Sequence, residues 1–294
     1  RYPLVTGVQT CALPIFLTYH DVRAGNPSPQ DNHYTISVNL LRSHLETFRN
    51  SGMVAPHPES LRQPSRLGSA SFFLAFDDGD ALHATLTAPL LESRGLRGIF
   101  FVPTQRLDRT GFLTTENVQA MSRAGHVFGL HGHFHRRLDL LPEAELVEDF
   151  SLSREILQRA TGSPPWVFAP VGGYGSSRVN QAARDCGVRV IRTMRWGLNH
   201  SPDPLALETV PVSQDFGAGQ LEQVLLKASF GRGYHAKEFF KKLNMSFDHY
   251  SRTTNPYHKD LVQQFFLDLV KNGYIEEKVT DQLYSEQDKR FLAD

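Results

Sequence analysis

The sequence predicts an α/β protein whose first two thirds form a parallel sheet closed into a barrel. Three observations carry that prediction. Short apolar runs alternate with amphipathic segments, several of the runs end in clusters of polar residues, and no phosphate-binding glycine motif follows any run. Repeated strand–helix units of this length align their strands in parallel and place the helices outside. An open nucleotide-binding sheet would carry GxGxxG or GxxxxGK[ST] after a strand, and its absence favours the closed form.

The elements follow in order. Phe16 to His20 reads as a strand, and Ser37 caps a helix with Leu40, Leu41, Leu45 and Phe48 at helical spacing. The order then repeats as strand Ser71 to Phe76, helix Ala81 to Ser93, strand Gly98 to Val102, helix Thr115 to Arg123, strand Val127 to Leu130 and helix Glu143 to Thr161. Further strands are expected at Trp166 to Ala169, Val188 to Thr193 and Glu208 to Val212, with a helix around Arg178 to Cys186.

Composition limits what such a chain can do. It has 294 residues, 31 basic and 31 acidic, so a net charge of zero offers no general argument for nucleic acid. Its longest apolar stretches, such as Ser71 to Phe76, fall far short of the roughly 20 residues a bilayer-spanning helix needs. The average conceals a break: residues 1–226 hold 20 Arg and no Lys, whereas 227–294 hold eight Lys and three Arg. Lys, Asn, Tyr and Phe rise together after about Tyr234, as if two genomes of different base composition had been joined. Residues 5–15 resemble the translation of a sequencing-library adapter, so residues 1–15 are excluded from the fold. The expected layout is 16–226 as the barrel, 227–233 as a junction and 234–294 as an appendage. Excluding Cys11 leaves Cys186 alone, which rules out an internal disulfide or a CxxC metal knuckle. Localisation and oligomeric state stay open.

In parallel barrels the chemistry collects where strands end and βα loops begin. Three clusters sit there: Tyr19-His20-Asp21, Phe76-Asp77-Asp78-Gly79 and His131-Gly132-His133-Phe134-His135. Singly each has a bland reading, respectively a strand-end hydrogen bonder, an ordinary turn and a solvated loop. Together they offer the His and carboxylate ligands of a three-ligand hydrolytic metal site. One Asp of the pair can bind the ion while its neighbour deprotonates water, which suggests metal-assisted hydrolysis of an acyl group.

Leu17-Thr-Tyr-His-Asp-Val22, Leu74-Ala-Phe-Asp-Asp-Gly79, Gly98-Ile-Phe-Phe-Val102, Gly125-His-Val-Phe-Gly129 with His131 and His135, and Phe168-Ala-Pro-Val-Gly-Gly173 stand in the order of a known family. Over about residues 16–215 the chain resembles a polysaccharide deacetylase with a NodB-homology domain. The resemblance implies a distorted (β/α) barrel of about seven strands that removes acetyl from N-acetyl or O-acetyl sugars. It implies Asp77 as general base, Asp78, His131 and His135 as ligands of a divalent ion, Zn2+ in type, and the Gly172, Gly173 and Tyr174 loop as the substrate-binding segment. His133 has no family role. The glycines also fit a plain turn before the next helix.

Three departures stand out. Gly132 replaces the usual Ser or Thr after the first ligand histidine. The Arg that would orient the base is absent around Phe168 to Pro170, and no Leu-x-His motif follows the last strand. His20 is the candidate general acid in its place, a structural role being the alternative. The appendage is expected to be mainly helical. Its Phe239 to Thr254 and Asn272 to Lys278 stretches resemble methionyl-tRNA synthetase, but HIGH, KMSKS and a cysteine knuckle are missing. Its Leu261, Phe265, Phe266, Leu269 and Val270 read as an amphipathic helix whose partner surface is missing. The partner expected for the barrel is an acetylated carbohydrate, with no nucleic acid. The alternatives are a methionine-tRNA ligase fragment or a catalytically degenerate glycan-binding barrel.

Overall fold

Seven short strands close on themselves, each alternating one residue into the barrel and the next toward the helices. In the computed structural model these are β1 (Ile15–Tyr19), β4 (Phe72–Phe76), β5 (Ile99–Val102), β6 (Val127–Leu130), β7 (Val167–Phe168), β8 (Val190–Trp196) and β9 (Leu207–Pro211), every neighbouring pair parallel. The described residues are 14–28, 30–63, 67, 71–199, 203–229, 284–285 and 290–291. The chain divides into two compact units, residues 1–234 and 235–294. The adapter-like residues 1–13 and the expected 261–270 helix lie outside the described residues. Within the second unit, β10 (Tyr284–Ser285) pairs antiparallel with β11 (Arg290–Phe291).

One buried cluster, with Phe16, Phe73, Ala75, Ile99, Phe101, Val127, Val167, Ala169, Val190 and Leu207, fills the barrel. A second, with Ile15, Leu17, Tyr19, Leu74, Phe76, Phe100 and Phe128, faces the outer helices. Those helices are α1 (Val38–Ser51), α2 (Ala88–Glu92), α3 (Thr115–Arg123), α4 (Glu143–Thr161), α5 (Ser177–Asp185) and α6 (Ala218–Ser229). The Ser37 cap holds, its hydroxyl accepting from Leu40 N at 3.1 Å. β2 (Val22–Arg23) and β3 (Ile36–Ser37) form a small parallel pair outside the barrel. Gly129 shows how full the interior is: a Cβ there would lie 2.6 Å from the Phe101 ring.

Several expected elements differ. The Ala81 to Ser93 helix is a π turn at His83–Thr87 followed by α2. Pro89 is the physical reason, since it offers no N–H to the preceding turn and its ring crowds the carbonyl four residues back. The strand expected to end at Thr193 continues to Trp196 through a register shift against β9, a bulge beside the barrel mouth. β1 begins at Ile15, one residue before the expected start, and α6 runs through position 226.

Candidate active site

Counting by twos along the strands leads from the core to the site. Phe73 and Ala75 face inward, so Asp77 does too. The same step takes Val127 and Gly129 to His131, Val190 to Arg192, and Phe16 and Thr18 to His20. Four polar side chains from four strands therefore converge at the carboxyl end of the barrel. The neighbouring Asp78 and His135 have positive φ, 73° and 53°, two of three such non-glycine residues among the described ones. Backbone held there at two adjacent groups points to a functional constraint.

Asp78, His131 and His135 bring one ligand atom each within 4.8 Å of one another. Asp78 Oδ1 lies 3.4 Å from His131 Nε2 and 2.8 Å from His135 Nε2. His131 Nδ1 is 2.7 Å from the Ala169 carbonyl, which only accepts, so Nδ1 carries a proton and Nε2 is the ring atom that faces Asp78. That arrangement is how ligand imidazoles are held, and two imidazoles with one carboxylate fit a divalent cation of the zinc type. His135 is set differently. Arg106 Nη2 donates to its Nδ1 at 2.8 Å, leaving the proton of the neutral ring on Nε2, where it donates to Asp78. An ion held at Nε2 requires the other tautomer, and hence release of Arg106.

Electrostatics agree with the grouping. Burial pushes the Asp78 carboxyl up, but hydrogen bonds and charge from His131 and His135 outweigh it and hold the group well below the usual carboxylate range. Burial lowers His131, whereas Asp78 and Asp77 raise it, and the net shift is upward. Burial dominates at His20 and keeps its pKa below the ordinary value despite Asp77 and Asp78.

Asp77 is buried, and Arg192 Nη2 lies 2.6 and 2.5 Å from its two oxygens. The absence of an Arg around Phe168 to Pro170 is thus made good from β8, by a guanidinium that is itself fully buried over the Phe101 ring. An arginine inside the apolar run Val188 to Thr193 was the available signal, because a buried guanidinium requires a counter-charge. His20 Nε2 sits 3.9 Å from Asp77 Oδ2.

The histidine loop is held from α4 and from the Thr104–Arg106 turn. Buried Asp149 accepts the N–H groups of His133 at 2.7 Å and Phe134 at 3.2 Å. Gly132 has φ 71°, and a Cβ on it would come 3.1 Å from Asp149 Oδ1. Glycine therefore suits this backbone better than the expected Ser or Thr. His133, without a family role, hydrogen-bonds Thr104 Oγ1 at 2.8 Å.

The Gly172, Gly173 and Tyr174 loop follows β7 on the same side. Its glycines have φ 61° and 76°, and a Cβ on Gly173 would meet Met194 Cβ at 2.4 Å. The N–H groups of Gly173 and Tyr174 are directed to Pro170 O at 2.9 Å and Val171 O at 3.3 Å within the turn. Tyr174 is half exposed, with Arg137 3.7 Å from its ring centroid.

Comparison with known proteins agrees with both halves of the chain. Residues 65–191 match the family model described as polysaccharide deacetylase, and residues 227–294 match that of class I tRNA synthetases (M). Among solved structures, the Streptococcus pyogenes deacetylase PplD in complex with acetate is 18% identical with a TM-score of 0.65, covering 72% of this chain and 98% of that one. IcaB from Ammonifex degensii is 24% identical with a TM-score of 0.65, covering 74% and 97%. A de-N-acetylase from Aggregatibacter actinomycetemcomitans is 21% identical with a TM-score of 0.65, covering 71% and 98%. These likenesses establish the fold. The C-terminal segment is 62% identical over 58 residues to methionine–tRNA ligase of Protochlamydia amoebophila, 20% of this chain and 8% of that protein. It is 52% identical over 63 residues to that of Chlamydia pneumoniae, 21% and 11%. The chain spans roughly a tenth of the length of these ligases. Among the described residues no helix is long and apolar enough to cross a membrane.

Proposed function

We propose that the protein, whose residues 65–191 match the polysaccharide deacetylase family model, removes acetyl groups from a carbohydrate, either an N-acetylglucosamine-type polysaccharide or an O-acetyl sugar. The observation that carries this reading is the convergence at one barrel mouth of a carboxylate gripped by arginine, a two-histidine, one-carboxylate ligand set and a further imidazole. Asp78, His131 and His135 would hold a divalent ion, Zn2+ by donor type, which would supply Lewis acidity toward water and the acetyl carbonyl. Asp77 takes the proton of the attacking water, and Arg192 orients both its oxygens. His20 returns a proton to the departing amine or alkoxide. The Gly172–Tyr174 loop contributes a half-exposed aromatic ring for the sugar.

None of the residues assigned here lies in 234–294, and 227–233 are read as the junction. The segment carries neither HIGH nor KMSKS, so methionine activation is not assigned to it.

The test is metal content by mass spectrometry together with acetate release from acetylated chitooligosaccharides, on the full chain beside Asp77→Asn and His131→Ala. About one ion per chain, retained in Asp77→Asn while acetate release is lost, and loss of both in His131→Ala, are the expected results. Absence of bound metal would overturn the site assignment. Stoichiometric metal with no acetate from any acetylated glycan would favour the second reading, a degenerate glycan binder.

A further inference from the structure

His20 holds the position of proton donor, yet its ring is not fixed by its own hydrogen bonds. Its Nδ1 is buried without a partner, and its Nε2, 3.9 Å from Asp77, is beyond hydrogen-bond range. Two residues outside every motif hold it instead.

His83 Nε2 lies 2.9 Å from the main-chain carbonyl of His20. A carbonyl only accepts, so Nε2 bears the proton. Burial keeps the His83 ring neutral, and its Nδ1 is a buried acceptor with no partner. The ring is fully buried between Phe76 and Phe100, at centroid distances of 5.7 and 5.5 Å. An aliphatic or phenyl side chain would occupy that space without the roughly 1–3 kcal/mol cost of an orphaned buried nitrogen. Packing therefore does not account for an imidazole here, whereas the bond to His20 does. His83 also opens the π turn at His83–Thr87, and such turns gather at functional sites.

Tyr34 acts on the other side. Its ring stacks on His20 at 4.9 Å and 24°. Its loop is tied down by Tyr34 N donating to Asn32 Oδ1 at 3.0 Å and Gln214 N donating to His33 O at 3.0 Å.

We infer that His83, through the His20 carbonyl, and Tyr34, through the face of the His20 ring, are positioning residues that aim His20 at the leaving group. Neither touches the reacting atoms, and the inference rests on the deacetylase reading above.

The test uses two substrates that differ in their need for a proton. An acetylated chitooligosaccharide expels an amine that must be protonated, whereas 4-nitrophenyl acetate expels a stable phenolate that need not be. Full chains of wild type, His83→Leu, His83→Gln and Tyr34→Leu are compared at equal metal content. His83→Leu is expected to lower kcat on the glycan about 10- to 100-fold with KM within about twofold, and aryl acetate hydrolysis by less than about threefold. His83→Gln, which keeps an N–H donor, should recover much of that loss, and Tyr34→Leu should show the same substrate asymmetry. Parallel losses on both substrates, or no loss on either, would overturn the inference while leaving the deacetylase reading intact. A wild type inactive on every acetylated sugar would sink that reading and this one with it.

Discussion

Replacing Arg192 by Met removes the guanidinium that touches both oxygens of Asp77, and the size of the loss follows from burial. The two side chains are 0% and 3% exposed, so water cannot take over the lost interaction. For unit charges about 4 Å apart at an effective dielectric near 20, the attraction is about 4 kcal/mol. Breaking one partner of such a buried pair typically costs about 3–5 kcal/mol, because the remaining charge is left uncompensated. Arg192→Met should therefore lose about that much in urea unfolding at neutral pH, followed by tryptophan fluorescence. It should also release acetate at about 1% of the wild-type rate or less, since misplaced general bases cost about 10²-fold. In Asp77→Asn/Arg192→Met no charge is buried alone, and the double variant should be more stable than Arg192→Met, with a coupling energy above about 2 kcal/mol. A single-variant loss below about 1 kcal/mol, with coupling within about 0.5 kcal/mol of zero, would refute the reasoning.

Three further outcomes are expected. Burial holds the His44 imidazole at about 4, against about 6.5 in the unfolded chain, so between those values the unfolded state binds the extra proton. The stabilisation is complete above about pH 6.5 and falls as pH drops toward 4, by up to about 1.4 kcal/mol per unit. Urea unfolding at pH 7, 6 and 5 should show that slope, and His44→Gln should flatten it. Arg106→Met frees His135 Nδ1 to carry the proton and removes a cation beside the ligand set, so metal affinity by competition with a chelator should rise about tenfold; unchanged or weaker binding would contradict the tautomer assignment. Gly132→Ser, although it restores the family's hydroxyl, puts a Cβ at φ 71° and 3.1 Å from Asp149 Oδ1. It should lower Tm, by at least about 1 kcal/mol in stability, and weaken metal binding about tenfold, both read from one thermal and metal titration series.

Much of the fold was legible because it is local. Ser37 ahead of Leu40, Leu41, Leu45 and Phe48 announces α1, and the helices expected at Thr115 to Arg123 and Glu143 to Thr161 have those bounds in α3 and α4. The strands were found because a run buried on both faces is apolar throughout. Where expectation failed, a constraint from outside the window won. Pro89 converts the start of a helix into a π turn, and β9 draws β8 on to Trp196 through a bulge.

By itself, the sequence determined which side chains could do the chemistry: Asp77, Asp78, His131 and His135 stand at strand ends, and period-two alternation then aims Asp77 and His131 into the mouth. Only the tertiary structure decided what supports them. Arg192 reaches Asp77 across 115 positions of sequence, Asp149 reaches His133 from a helix, and His83 reaches His20 from a turn 63 positions later. None of these partners belongs to a motif, because a supporting hydrogen bond needs only a donor at the right point in space, and closing a seven-stranded barrel brings distant strands and loops to that point.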